Sequence, residues 1–174
     1  MEKSIKEIAA NYGLYLGIAL AVVTAACYSI DIELIANTYV GIGLLILVLG
    51  VSVYASIAVK KAQNGFISFK NAFTAFFITL LIGLLISSLV YIVIFNFVDP
   101  EAANTLKEII MEKQINMMKD YGADSKAIAI VAEEFEKQDN MYSIENILQS
   151  LVFQLIGYSI VGLISSLIIK KTEE

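Results

Sequence analysis

Four long stretches of this chain contain no Asp, Glu or Lys, and they restrict its fold more than any other feature. Tyr12 to Ile30 is nineteen residues without a charge and Thr38 to Val59 is twenty-two; Phe73 to Phe95 and Ile147 to Ile169 are of the same kind. A helix rising ~1.5 Å per residue needs about 20 residues to cross the ~30 Å hydrocarbon layer. Each stretch is therefore long enough for one membrane span, and an all-α bundle of four transmembrane helices is expected.

Composition agrees. The 174 residues are 58% hydrophobic and the mean hydropathy is +0.75, well above a soluble domain, which is roughly half apolar. A single membrane domain over residues 1–174 follows, with the bilayer as its first partner. Twelve basic residues oppose seventeen acidic ones, and all twelve are Lys. Without Arg there is no bidentate fork for phosphate or carboxylate, so nucleic acid is not expected as a partner. His and Trp are absent and Cys27 is the only cysteine. A zinc site, a disulfide, a haem histidine and a histidine general base are thereby excluded within one chain. No cofactor is expected, and with only carboxylates, hydroxyls and Cys27 left for chemistry the chain reads as a non-enzyme.

Between the spans the residues read as connectors, with one exception. Met1 to Asn11 carries Lys3 and Lys6 with Ile5 and Ile8 a helical step apart, which predicts a short interfacial helix leading into span one. Thr24-Ala25-Ala26-Cys27 loosely resembles a lipoprotein cleavage site, but Thr24 stands where such sites carry a large aliphatic residue, and Cys27 is read as packed in a helix. Asp31 to Asn37 is a brief acidic turn. Lys60-Lys61 closes span two, Asn64-Gly65 signals a turn, and Phe66 to Lys70 makes an aromatic elbow at the interface, too short for a free-standing strand.

Residues 99–142 are the exception, the one long polar segment. Asp99-Pro100-Glu101 is a helix start with an acceptor before a first-turn proline, and the helix is expected to run from Pro100 to Tyr121 and stop at Gly122. Asp124 caps a second helix from Ser125 to about Lys137, on which Ile128, Val131 and Phe135 recur at three and four. Gln138 to Tyr142 connects to Ser143, the cap of the last span.

Four spans put both termini on one side. Lys3, Lys6, Lys60, Lys61, Lys70, Lys170 and Lys171 all fall on that side, whereas the short loop opposite holds Asp31 and Glu33 and no Lys. The positive-inside rule makes the termini cytoplasmic and the 99–142 hairpin extracytoplasmic. Small residues that let helices approach recur at four in Gly13, Gly17, Ala21 and Ala25 of span one and in Ala75, Thr79, Gly83 and Ser87 of span three. Gly41, Gly43 and Gly50 in span two and Gly157, Gly162 and Ser166 in span four add further positions.

Met1-Glu2-Lys3 leading to Asn11-Tyr12-Gly13-Leu14, then Gly65-Phe66-Ile67-Ser68-Phe69-Lys70 with Ala72-Phe73-Thr74-Ala75, then Asp99-Pro100-Glu101-Ala102 are in an order that resembles bacterial four-span membrane proteins catalogued as domain of unknown function 4199. The resemblance covers nearly the whole chain. It implies the fold and topology and carries over no functional residue.

Candidate sites are few. No Asp, Glu or Lys lies within a span, which counts against an ion-coupled transporter. Gln154 is the largest polar side chain inside one and is expected to make an interhelical hydrogen bond. Glu133, Glu134, Glu136 and Asp139 lack a calcium loop and read as a solvated face; Met111, Met117, Met118 and Met141 are scattered and read as apolar fillers rather than copper ligands. More telling is that a hairpin this thin has little core of its own. Leu106, Ile110, Met117, Tyr121, Ile128, Val131 and Phe135 need cover from the bundle, the bilayer or a partner. Two functions follow as expectations: a scaffold, accessory or regulatory membrane protein acting through the hairpin, or a small-solute carrier or pore built as a homo-oligomer.

Overall fold

The computed structural model describes residues 4–137 and 140–171. Six α-helices and no strand occur among the described residues: α1 (Ile5–Ile30), α2 (Thr38–Ala62), α3 (Phe69–Val93), α4 (Pro100–Asp120), α5 (Ser125–Lys137) and α6 (Ile144–Ile169). Four of them, α1, α2, α3 with its extension to Val98, and α6, are long and apolar enough to cross a membrane. The starts obey local chemistry. Ser4, Ser68 and Ser143 hydroxyls accept from the backbone N–H three residues on, Asn37 accepts from Tyr39 N at 2.9 Å, and Asp99 accepts from Ala102 N at 3.0 Å. Each cap satisfies a donor that the first helical turn leaves free.

The short helix expected to lead into span one is the first part of α1 itself. Residues 5–11 run without a break into span one, because Ala9 is fully buried and Ile5 and Ile8 pack with Val59 and Ile67. Lys3, one of the residues used for orientation, lies outside the described residues.

Helix α3 is central: α1, α2 and α6 all pack on it, α1 most extensively. Two buried hydroxyls tie the layers by donating to main-chain oxygens of other helices, Thr79 to Ala9 at 2.9 Å and Ser56 to Ala72 at 2.8 Å. In hydrocarbon such bonds replace the water a hydroxyl would otherwise find. Outside this core the surface is apolar; Tyr15, Val22, Ile46, Phe153 and Ile168 are all exposed. This inside-out distribution matches helices whose solvent is lipid.

At the lysine end the bundle is clasped. Ile67 and Lys171 exchange backbone hydrogen bonds of 2.9 Å each way, the Lys171 ammonium lies 5.4 Å from the centre of the Phe66 ring, and Lys60 Nζ donates to Ile169 O at 2.8 Å. The last bond places a cation on the negative end of the α6 dipole. The elbow at Phe66 to Lys70 is thus one bridge plus the first turn of α3, and Asn64 and Gly65 make the turn with φ of 55° and 89°.

At the opposite end α3 widens into a π-helical turn, Ile94–Val98, in which Asp99 N donates to Ile94 O at 2.8 Å. The inserted residue swings Asn96 toward the chain entering α6, where its amide donates to Tyr142 O at 2.9 Å. Asp99 then caps α4 and also accepts from the Tyr28 hydroxyl at 2.8 Å. Ala102, Ala103 and Leu106 are buried against Phe95 and Ile94, and Tyr142 stacks on Tyr91 with centroids 6.1 Å apart. The hairpin is therefore rooted on the bundle, with Tyr121 closing α4 and Gly122 (φ 75°) turning the chain.

Candidate functional site: a cleft between α2 and α6

Clasped at one end, α2 and α6 separate toward the other. Every buried residue of α2 lies from Val48 onward, and Gly41, Gly43 and Gly50 have no neighbour within 4 Å of where a Cβ would stand. Of the three, Gly41 faces α6, and with no side chain there to span the gap the volume between the helices stays unfilled. The result is a cavity of about 420 Å³. Its floor is Thr24 of α1 with Leu84, Ser87, Ser88 and Tyr91 of α3; its walls are Gly41, Leu44, Leu45 and Val48 of α2 and Ser150, Gln154 and Tyr158 of α6. Ile35, Met141 and Tyr142 stand at the hairpin end.

The lining mixes apolar and polar side chains and carries no charge. No Lys, Asp or Glu is among its residues, while hydroxyls of Thr24, Ser87, Ser88, Tyr91, Ser150 and Tyr158 join the Gln154 amide. Gln154 departs from its expected role. No hydrogen bond reaches it from any described residue, and it is exposed along the cleft instead of bridging two helices. Ten residues into α6, it lies about 15 Å from the helix start, near the middle of a ~30 Å hydrocarbon layer. At the hairpin end burial pushes the Tyr142 phenol well above its ordinary range, with the neighbouring Tyr91 adding to the shift. That phenol stays neutral, in keeping with an uncharged site.

Of the small residues singled out by sequence, four sit at true close approaches. A Cβ on Gly13 would stand 2.8 Å from Ile82 Cβ, one on Gly17 2.7 Å from Ile86 Cβ, one on Gly83 2.6 Å from Leu16 Cδ2 and one on Gly162 2.5 Å from Phe76 Cδ1. Thr79 is buried at the same α1–α3 seam, and Ala21 is half-buried. Ala25 is exposed, because a four-residue step turns about 40° past a full helical circle and three steps carry the stripe off the seam. Thr24 and Cys27 are buried in its place. Gly157 meets nothing within 4 Å; five residues from Gly162, it points about 140° away. Ser87 lines the cleft.

The hairpin residues divide likewise. Leu106 is fully buried on the bundle and Ile110 packs beside it. Phe135 is buried, and Ile128 and Val131 are half-buried on α5, which packs on α4. Met117 and Tyr121 stay exposed, Tyr121 at 86%, beside Ala36 and Thr38 where Lys113 Nζ reaches Ala36 O at 3.4 Å. The methionines do not gather: Met111, Met117 and Met141 line three different hollows. Glu133 pairs with Lys137 at 2.7 Å, Asp139 lies outside the described residues, and no three potential metal ligands converge among the described residues.

Fold and site together define a multi-pass helical membrane protein with a hairpin at one end of its bundle. The chain belongs to the family described as Protein of unknown function (DUF4199), whose pattern matches residues 11–171. No curated protein and no solved structure matches it.

Proposed function

We propose that this is a non-enzymatic accessory or regulatory protein of the bacterial inner membrane, with both termini cytoplasmic, acting on a membrane protein partner through its extracytoplasmic hairpin. One observation carries the reading. The root of the hairpin is fixed by Leu106, Ala102 and the Tyr28–Asp99 bond, while its far end presents Met117 and Tyr121 uncovered beside the start of α2. A rigid root with an exposed aromatic and a methionine at the tip is the arrangement that interface anchors take. The orientation rests on the lysines clustered at the clasped end. The absence of His, of Arg and of any acid within a span supports the non-enzymatic part.

A photocrosslinker replacing Tyr121 is expected to capture one membrane protein in constant ratio, and Met117→Asp to abolish the capture. Self-crosslinks alone would overturn the reading. For orientation, Cys27→Ser with Lys126→Cys is expected to react with an impermeant thiol reagent on intact spheroplasts; reaction only after lysis refutes it. The cleft favours a second reading, a carrier for a small uncharged solute working as a homo-oligomer, because its polar lining reaches the middle of the bundle. Solute flux into vesicles holding the purified chain tests that alternative.

A further inference from the structure

We propose that the cleft between α2 and α6 binds an uncharged lipid with a hydroxylated head group, of the diacylglycerol kind, taken sideways from the bilayer. The inference does not depend on the hairpin reading. It competes with the solute path of the second reading, and a water-soluble competitor separates the two.

The Gln154 amide is the starting point. It has no hydrogen-bond partner in the described chain and stands at a depth where the surrounding solvent is hydrocarbon. An amide left unpaired in an apolar medium is costly, so the cleft is most stable with a hydrogen-bonding occupant. Ser87, Ser88 and Ser150 line the same space. Each hydroxyl both donates and accepts, and so does the carboxamide, which matches a hydroxyl or ester head group.

Charge narrows the class. A phosphate or ammonium head would lose its hydration in a cleft without one Lys, Asp or Glu in its lining, a loss that only a counter-charge repays. Leu44, Leu45 and Val48 supply an apolar wall for an acyl chain. The volume of about 420 Å³ lies in the ~300–1,000 Å³ range of small-molecule sites. It holds a head group and the first part of a chain, leaving the rest between the parted helices in lipid. The source follows from the walls: half-buried Ile35, Met141 and Tyr142 close the hairpin end, whereas Gly41, Leu45 and Gln154 are exposed along the spans, where the solvent is lipid.

The full chain in lipid nanodiscs, exposed to a diazirine-bearing dioleoylglycerol and mapped by mass spectrometry, tests this. Labels are expected on α2 and α6 residues of the cleft, displaced by excess dioleoylglycerol and unaffected by free glycerol or added phosphatidylglycerol. Gly41→Trp projects an indole into the cleft from a position whose Cβ meets nothing within 4 Å, and should lower labelling at least tenfold. Gly43→Trp, equally unobstructed but outside the lining, should leave it unchanged, and Gln154→Leu should weaken it several-fold. If Gly41→Trp fails to fold, Leu45→Trp occupies the same space from an exposed position. Labels spread evenly over all lipid-facing helices, labelling unchanged by the cleft-filling variant, or displacement by phosphatidylglycerol would each overturn the proposal. Displacement by free glycerol would overturn the lipid source in favour of a soluble ligand.

Discussion

The glycines of the α1–α3 seam give a test in which two similar substitutions should behave differently. Gly83→Ala puts a methyl 2.6 Å from Leu16 Cδ2, 2.7 Å from Cγ and 3.2 Å from Cβ, whereas Gly13→Ala puts one 2.8 Å from Ile82 Cβ and 3.1 Å from Thr79 O. Overpacking a tight interface costs about 1–3 kcal/mol, against a gain of about 1 kcal/mol from replacing a helical glycine by alanine. Leu16→Ala removes the two nearest atoms facing position 83. Ile82→Ala keeps the offending Cβ, and the Thr79 carbonyl is main chain. The Gly83/Leu16 cycle should therefore show a coupling of about 1–3 kcal/mol in the relieving direction, roughly 5- to 150-fold in the folding equilibrium. The Gly13/Ile82 cycle should show little relief. Equilibrium unfolding in mixed micelles of rising dodecyl sulfate fraction reads both, with Gly43→Ala as an unobstructed reference. Equal couplings in the two cycles would refute the geometric argument, as would a Gly13→Ala variant at least as stable as Gly43→Ala.

Three further outcomes are expected. Asp99→Ala removes the α4 cap and the acceptor of Tyr28 and should loosen the hairpin by about 1–3 kcal/mol, with Tyr28→Phe giving about 0.5–1.5 kcal/mol; hydrogen exchange at Ala102 to Leu106 reads both, and unchanged protection would count against the root as described. Burial raises the Tyr142 phenol above its ordinary 10.0, so its contribution is complete below about pH 10 and is lost as pH climbs through the folded value. Tyr142→Phe should flatten the alkaline loss of stability, and an identical pH profile would contradict this. Lys60→Met removes the donor to Ile169 O and should cost about 0.3–1 kcal/mol, more than Lys61→Met; the same unfolding assay compares them, and equal losses would refute the clasp.

The clasp and the cleft are two ends of one arrangement. Lys60 holds α6 to α2 and the Ile67–Lys171 bridge holds the end of α6 to the α2–α3 connection at the lysine end, and α6 reaches the hairpin end with only Ile147 and Leu151 buried in its first half. Its anchor there is the chain ahead of it, through Asn96 to Tyr142. Helix α6 is consequently the span with the least burial in the bundle, 11% of its apolar window against 28–33% for the others. A loosely packed helix is the one whose displacement would widen or close the cleft.

The sequence by itself determined the four spans, the hairpin and the helix starts at Asp99, Asp124 and Ser143, because hydropathy and capping are properties of a segment and its nearest neighbours; the caps at Ser4, Asn37 and Ser68 came only with the structure. Asp99, Asp124 and Ser143 do in space what their positions require. Side-by-side pairing is different. Lipid tails are as apolar as leucine, so hydrophobicity does not say which faces meet, and the choice falls to shape. Only the tertiary structure therefore decided that α3 is central and that Gly13, Gly17, Gly83 and Gly162 touch neighbours while Gly157 does not. It alone covered Leu106 and Phe135 and left Tyr121 open. The cleft belongs to the same class of fact: Gln154 is polar in the sequence, but its lack of a partner depends on α2 and α6 parting beside it.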